Sequence, residues 1–559
     1  MAAASLLLGA CTGFLEEKPT TKLDQEVVYT TVEGAEAALT GCYSPLGTGR
    51  FMCGLSFEGL SNTSGLLTYK NQQGTGDAQQ LYSLTLLPND QTWLTPVYSN
   101  MYNVINRTND LIENLEDSPI DSQTKEEIMG EAYFLRANMY FFGARIWGAL
   151  PLVTVSPKSV KETHVPRSPV EEIYKLVIED LEKAETMMRK SKLQGGTQRV
   201  DRPCNWAATA TLAKVYMQMA CILRHNNGEP FSGVNFGLTE AQCWGKCYDY
   251  AKSVYDNGPY SLVPKYADIF DVYNPNNCES IFEIQTTIAS TNYLTERTIP
   301  NYSHYTPEVT ASPSTWGRIR PTREAFLRHQ TRYPGDPRFE ATYIYNEFTR
   351  SKNAVDGNGV STAGKKVTIF PASTAGSAEA AFPYLKKYID PDYRTGASNK
   401  NLIYFRYGEL LLILAEASVE HTTTAEAVGY VNELLKRARY QGEGQMDAAQ
   451  PQDWEDNLGK EELRDAIMQE RVYELMGEMQ EWFDVRRNGI DYFRDKIAIP
   501  HNDYMNTQSD AVKKQLAVYP TDHDGIRKIL LWPLPMDEIN TNNAISIADQ
   551  NFGYNATIK

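Results

Sequence analysis

The chain is 559 residues long, enough to bury a large core without disulfide staples; at about 150 residues per domain that is roughly four units, or one fused helical domain. Its 54 Lys and Arg stand against 70 Asp and Glu, a formal net charge of −16, which excludes a general nucleic-acid binder because such a protein needs a basic field to displace counterions from phosphate. With 22% charged and 42% hydrophobic residues and a mean hydropathy of −0.45 the chain is neither disordered nor polytopic, while 34 Tyr against 19 Phe and 8 Trp supply many rings with polar tips.

The N-terminal apolar run, residues 2–10, is far shorter than the ~20 residues that span a bilayer. Leu8-Gly9-Ala10-Cys11 has the form of a bacterial lipoprotein box, in which small residues precede the cysteine that becomes the lipidated N-terminus, although no Lys or Arg precedes the run. Residues 1–11 are therefore expected to be a signal ending at lipidated Cys11, and 12–30 an acidic tether. Without Cys11 seven cysteines remain, an odd number that argues against a complete disulfide framework. Cys243 and Cys247 lie four apart with no partnering histidines, which favours buried thiols over structural zinc.

From 31 to 260 the chain reads as helical hairpins. Apolar residues recur at three and four over 32–43, 93–115, 122–146, 170–188, 206–223 and 239–257. Ser122, Ser168 before Pro169, and Thr239 three residues ahead of Gln242 are the expected caps. Between 261 and 400 the character changes to β-like runs such as 280–284 among long stretches rich in Thr, Ser, Asn, Gly and Pro, and loops of that length are uncommon unless they bind something or are disordered. Helical periodicity returns in 401–489, over 402–419, 425–438 and 463–487, and 490–559 is loop-rich again. The fold class is mainly α: divergent tetratricopeptide-like hairpins carrying an irregular, loop-rich ligand-binding region.

Catalytic signatures are missing. The seven histidines are scattered with no His-x-x-x-His pair, and no phosphate-binding glycine loop or Gly-x-Ser-x-Gly elbow occurs, so no metal, no cofactor and no catalytic residue is expected. A glycosidase needs only two carboxylates about 5–10 Å apart, which no linear motif reveals, so an all-helical glycoside hydrolase stays open as the alternative.

Four segments in order carry a resemblance. They are Gly130-Glu131-Ala132-Tyr133-Phe134-Leu135-Arg136 running on to Trp147-Gly148; Arg406-Tyr407-Gly408-Glu409 through Ala415-Glu416-Ala417; Glu470-Arg471-Val472-Tyr473-Glu474 leading to Trp482-Phe483-Asp484-Val485-Arg486-Arg487; and Leu531-Trp532-Pro533-Leu534-Pro535 through Asn551-Phe552-Gly553-Tyr554. Behind a lipoprotein box, this set resembles the SusD/RagB family of outer-membrane nutrient-binding lipoproteins over nearly the whole mature chain. One departure is Glu478-Met479-Gln480-Glu481, where the family usually has Glu-Gly-x-Arg, which puts the local salt-bridge pattern in doubt. The motif residues read as scaffold: Met468, Val472, Leu475, Met479 and Trp482 form one stripe, and Arg136, Arg406, Glu409 and Glu416 are expected inter-helix partners.

The resemblance implies a non-catalytic cell-surface protein that captures oligosaccharides and delivers them to a SusC-like TonB-dependent transporter, held at the outer membrane by its lipid. A SusD-like protein that binds peptide or another nutrient is the other reading. Sugars offer apolar ring faces to aromatic side chains and hydroxyl edges to Asn, Gln, Asp or Arg. Two loop regions provide these groups: Asn292, Tyr293, Arg297, Tyr302, Tyr305 and Trp316 in 288–322, and Asn62 and Tyr69 in 58–77. Trp93 and Trp532 are expected in the core. The charge balance disfavours a densely anionic polysaccharide unless Arg297, Arg318 and Arg320 override it locally.

Overall fold

The computed structural model describes residues 28–69, 79–191, 193–194, 197–198, 200–225, 230–287, 298–303, 315–349, 360–372, 382–390, 398–514 and 516–555. Cys11, Asn292, Tyr293, Arg297 and Tyr305 lie outside these residues.

Helices α1 (Val32–Tyr43), α2 (Phe57–Asn62) and then the short strand β1 (Leu67–Tyr69) open the fold. The expected loop from 58 to 77 is thus helical and stranded in its first part, because 57–62 is buried along its whole length and must satisfy its backbone internally. The long helices follow: α3 (Leu94–Glu116), α4 (Ser122–Trp147), α5 (Val170–Met187), α6 (Asn205–Arg224) and α7 (Glu240–Asn257). Each packs on the next, α3 on α4 through to α6 on α7, as an α-solenoid requires. Close approach depends on small residues: a Cβ on Gly143 of α4 would fall 2.5 Å from Met101 Sδ of α3.

The caps partly match the spacing. Thr239 and Gln242 form the expected box, Gln242 N donating to Thr239 Oγ1 at 3.2 Å and Thr239 N to Gln242 Oε1 at 2.8 Å. At α4 the cap is Asp121, whose Oδ1 accepts from Thr124 N at 2.9 Å, rather than Ser122. Ser168 caps nothing, since Arg167–Ser168 pairs as a strand with Leu150–Pro151 and leaves Pro169 at the helix start.

The middle of the chain supplies β2 (Ser280–Ile284), β3 (Ile319–Pro321), α8 (Pro337–Thr342), β4 (Tyr343–Ile344) and β5 (Tyr384–Leu385). Strand β6 (Leu402–Arg406) then runs straight into α9 (Tyr407–His421), followed by α10 (Thr424–Arg439), α11 (Lys460–Leu475) and α12 (Glu481–Arg487). Residues 402–406, expected as a first helical turn, pair antiparallel with β2 instead, Leu402 opposite Ile284 and Arg406 opposite Ser280. All ten strand residues are buried, and a short apolar run of that kind has no periodicity to separate strand from helix. The single helix expected over 463–487 is broken between α11 and α12, where Gly477 and Met479 take φ of +81° and +65°. Its stripe survives the break, with Met468, Val472, Leu475, Met479 and Trp482 all buried.

The C-terminal segment is more helical than its composition suggests, with helices at Ile499–Asn506, His523–Ile529 and Met536–Thr541. Trp532 is core as expected, edge-on to Trp147 and Trp482 at 6.0 and 6.2 Å. Cys243 and Cys247 are buried free thiols. Among the described residues no helix is long and apolar enough to cross a membrane.

Two buried ion networks bind the helices together. Arg406 reaches Glu279, Glu474 and Glu478 at 2.6, 2.8 and 2.6 Å, and Arg338 and Arg437 share Glu474 with it. Arg471 and Arg487 hold Glu409, Glu416 and Asp484, while Arg136 pairs with Asp180 at 2.7 Å. Arg136, Glu409 and Glu416 link helices as expected, while Arg406 lies on strand β6 and ties that strand to Glu474 of α11. The departure at 478–481 is rebuilt in part: Glu478 pairs with both Arg406 and Lys387, whereas Glu481 makes no salt bridge among the described residues. Breaking one such buried pair leaves a stranded charge and costs on the order of 3–5 kcal/mol.

Candidate functional site

Strand pairing assembles the candidate site. Tyr69 of β1 lies opposite Ile319 of β3, one step from Arg318, so two segments 250 positions apart deliver their side chains to one place. The Arg318 guanidinium lies over the Trp316 ring, 3.8 Å from its centre, and 5.9 Å from the centre of Tyr69. Tyr302 meets Trp316 edge-on, with ring centres 5.8 Å apart and planes at 78°. Tyr69, Trp316 and Arg318 are half-buried, leaving aromatic surface and guanidinium N–H groups open to solvent.

Behind them stands Glu58 on α2, 1% exposed. One carboxylate oxygen accepts from Trp93 Nε1 at 2.9 Å and the other lies 3.5 Å from Arg318 Nη1. Burial raises the Glu58 carboxyl above its usual range, against the opposing pull of Arg318 and the Trp93 hydrogen bond. Glu58 therefore orients the guanidinium that covers one face of Trp316, and Trp93, expected only as core, orients Glu58.

The expected site residues divide. Trp316, Tyr69 and Tyr302 come together, but Tyr302 is only 4% exposed and braces the indole. Asn62 is fully buried one helical turn after Glu58, and neither polar atom of its amide has a hydrogen-bond partner among the described residues. The carbonyl-directed Arg320 is also buried, donating to Gly317 O at 2.9 Å and lying over Tyr384 at 3.6 Å, so it does not offer charge to solution. Glu58 was missed because its partners are remote in sequence. Among the described residues no group of three His, Cys, Asp or Glu is placed to hold a metal ion.

Comparison with known proteins agrees with this architecture. The SusD family model matches residues 278–554, and a SusD-like model described as "Starch-binding associating with outer membrane" matches 14–217. The chain belongs to the SusD family. SusD-like protein P25 of Formosa agariphila is 25% identical over 506 residues, covering 86% of this chain and 87% of the relative. A SusD-like protein of Bacteroides ovatus is 22% identical over 537 residues, covering 92% and 86%. Among solved structures, a SusD homolog from Bacteroides thetaiotaomicron superposes with a TM-score of 0.73 at 19% identity, covering 95% of this chain and 99% of the other. A laminarin-binding SusD-like protein superposes with a TM-score of 0.64 at 20% identity, covering 93% and 99%.

Proposed function

We propose that the protein is a cell-surface lipoprotein that captures oligosaccharide without cleaving it and passes it to a SusC-like TonB-dependent transporter. The observation that carries this reading is the half-open cluster of Tyr69, Trp316 and Arg318: rings to stack on a sugar face beside a fixed guanidinium to bond its hydroxyl edge. Family membership and the laminarin-binding relative of the same fold support a glycan as the ligand. Glu58 is sealed behind this cluster, its carboxylate engaged by Arg318 and Trp93. Tyr293, Asn292, Arg297 and Tyr305 belong to the same proposed site through their place in the 288–322 segment, and Cys11 to the anchor.

The test is an affinity-electrophoresis panel of polysaccharides followed by the Tyr69→Ala/Trp316→Ala variant. Loss of one stacked ring typically removes about 1 kcal/mol, so the double variant is expected to bind at least tenfold more weakly with melting nearly unchanged. Unchanged affinity would remove this cluster from the site, and sustained multiple-turnover release of reducing ends would overturn the non-catalytic reading.

A further inference from the structure

A second cavity, of about 480 Å³, lies between the turn of 3-10 helix Tyr266–Phe270, α8 and the chain just after β5, and it shares no residue with the Trp316 cluster. Its floor is rigid. Tyr266 is 2% exposed, donates its hydroxyl to Glu474 O at 2.5 Å and has the Arg437 guanidinium 5.0 Å from its ring centre, so the large ion network holds it. Phe270, Pro337, Ala341 and Ile389 make the rest of the wall apolar.

The groups around that wall are unspent. Tyr440, half-buried at the end of α10, has no ring or cation contact among the described residues, and the Gln441 side chain makes no hydrogen bond there. Lys265 is exposed and its ammonium has neither hydrogen bond nor ion pair among the described residues. The Lys386 ammonium donates to the Glu340 carbonyl at 2.9 Å and pairs with no carboxylate among the described residues, while the Glu340 carboxylate accepts from Tyr345. Lys387 beneath is neutralised by Glu478 at 2.7 Å. What remains is a free ring, a free amide and two exposed ammonium groups set against the single Glu340 carboxylate, a local excess of one positive charge around an apolar volume within the ~300–1,000 Å³ range of small-ligand sites.

A ring to stack on and an amide for hydroxyls are the chemistry of a sugar site, and the two ammonium groups add a charge opposite to that of the whole chain. Within about 8 Å, the screening length at physiological salt, such local charges dominate the net field. We propose that this cavity is a second glycan subsite that selects a sugar ring bearing an anionic group, carboxylate or sulfate ester. The inference rests on the glycan-binding reading above, and places acid selectivity in a cavity remote in sequence from the arginines of the 288–322 segment.

Calorimetry with digalacturonate, a galactose disaccharide sulfated at O6 and the neutral galactose disaccharide tests it in the full-length protein. The wild type is expected to bind at least one anionic probe tenfold or more tightly than the neutral one, with affinity falling as salt rises. The carboxylated and sulfated arms identify which anion is preferred. Lys265→Gln/Lys386→Gln, two exposed positions outside the core, is expected to abolish that preference, and Tyr440→Ala to weaken all three probes. Trp316→Ala is expected to reduce retention on neutral polysaccharide while leaving the tenfold preference for the anionic over the neutral disaccharide in place, which separates failure of this cavity from failure of the Trp316 site. Equal affinity for charged and neutral probes, no binding by the wild type, or an unchanged preference in the lysine variant would each overturn the proposal.

Discussion

At the scale of single residues, the most consequential feature is a buried acid held without a salt bridge among the described residues. Glu481 opens α12 fully enclosed, accepting from Gly477 N and making no salt bridge among the described residues. Burial pushes its carboxyl up to about 7, against the opposing pull of the Gly477 and Glu481 backbone N–H groups. Between the usual carboxylate value near 4.5 and about 7, the unfolded chain is ionised at this position while the folded protein keeps its proton. The folded state then binds more protons than the unfolded one, so this group lowers stability progressively as pH rises through that window and by a constant amount above it. Each pKa unit is worth about 1.4 kcal/mol, so the full penalty is on the order of 3–4 kcal/mol. Glu481→Gln keeps the shape and the acceptor for Gly477 N. Thermal melting should show the variant above wild type at pH 8 and level with it near pH 4; equal melting at pH 8 would show that the position carries no such penalty.

At the scale of elements, what was legible is what periodicity encodes. The long helices α3 to α7 follow from apolar residues at three and four, and the Thr239 box from spacing alone. Strand β6 was hidden because Leu402-Ile403-Tyr404-Phe405-Arg406 is buried throughout, and only its pairing with β2 decides its conformation. The break after α11 was hidden because Met479 continues the apolar stripe from a left-handed backbone position. The site shows the same division: Trp316 and Tyr69 were visible as loop aromatics, whereas their joining depends on β1–β3 pairing and on Glu58, which no local pattern marks. Tyr440 and Gln441 carry no local pattern, since they only follow the periodic helix α10.

Element contacts also yield a test. Arg486 of α12 donates to Thr63 O, Ser64 O and Ile529 O at 2.5, 3.1 and 3.2 Å. It thereby closes the turn between α2 and β1 that presents Tyr69. Arg486→Met retains the length of the side chain and strands three carbonyls, and losing hydrogen bonds to a charged group costs about 1.5–3 kcal/mol each at most. A drop in melting temperature together with weaker glycan retention is expected. Lower stability with wild-type retention would show that the turn does not govern the site.

At the scale of the whole molecule, the body of the protein is a rigid frame whose stiffness is internal. Its successive hairpins share one hydrophobic core running from Ala35 in α1 to Ile545 near the C-terminus, and the ion networks cross-link α9, α10 and α11 within it. Such a frame can present its sites without help from a membrane. The proposed anchor therefore acts on location alone. From Cys11 to the Thr31 cap of α1 is a span of 20 residues, which at about 3.3–3.6 Å each reaches at most roughly 70 Å when extended. Cys11→Ala should leave melting temperature and glycan affinity unchanged while moving the protein from the membrane pellet to the soluble periplasmic fraction. Uptake of the bound oligosaccharide by cells should fall at the same time, because capture and transport then no longer occur at one surface. Retention of the variant in the membrane fraction would sink the lipid anchor, and undiminished uptake by cells with the soluble protein would sink the requirement for anchored delivery.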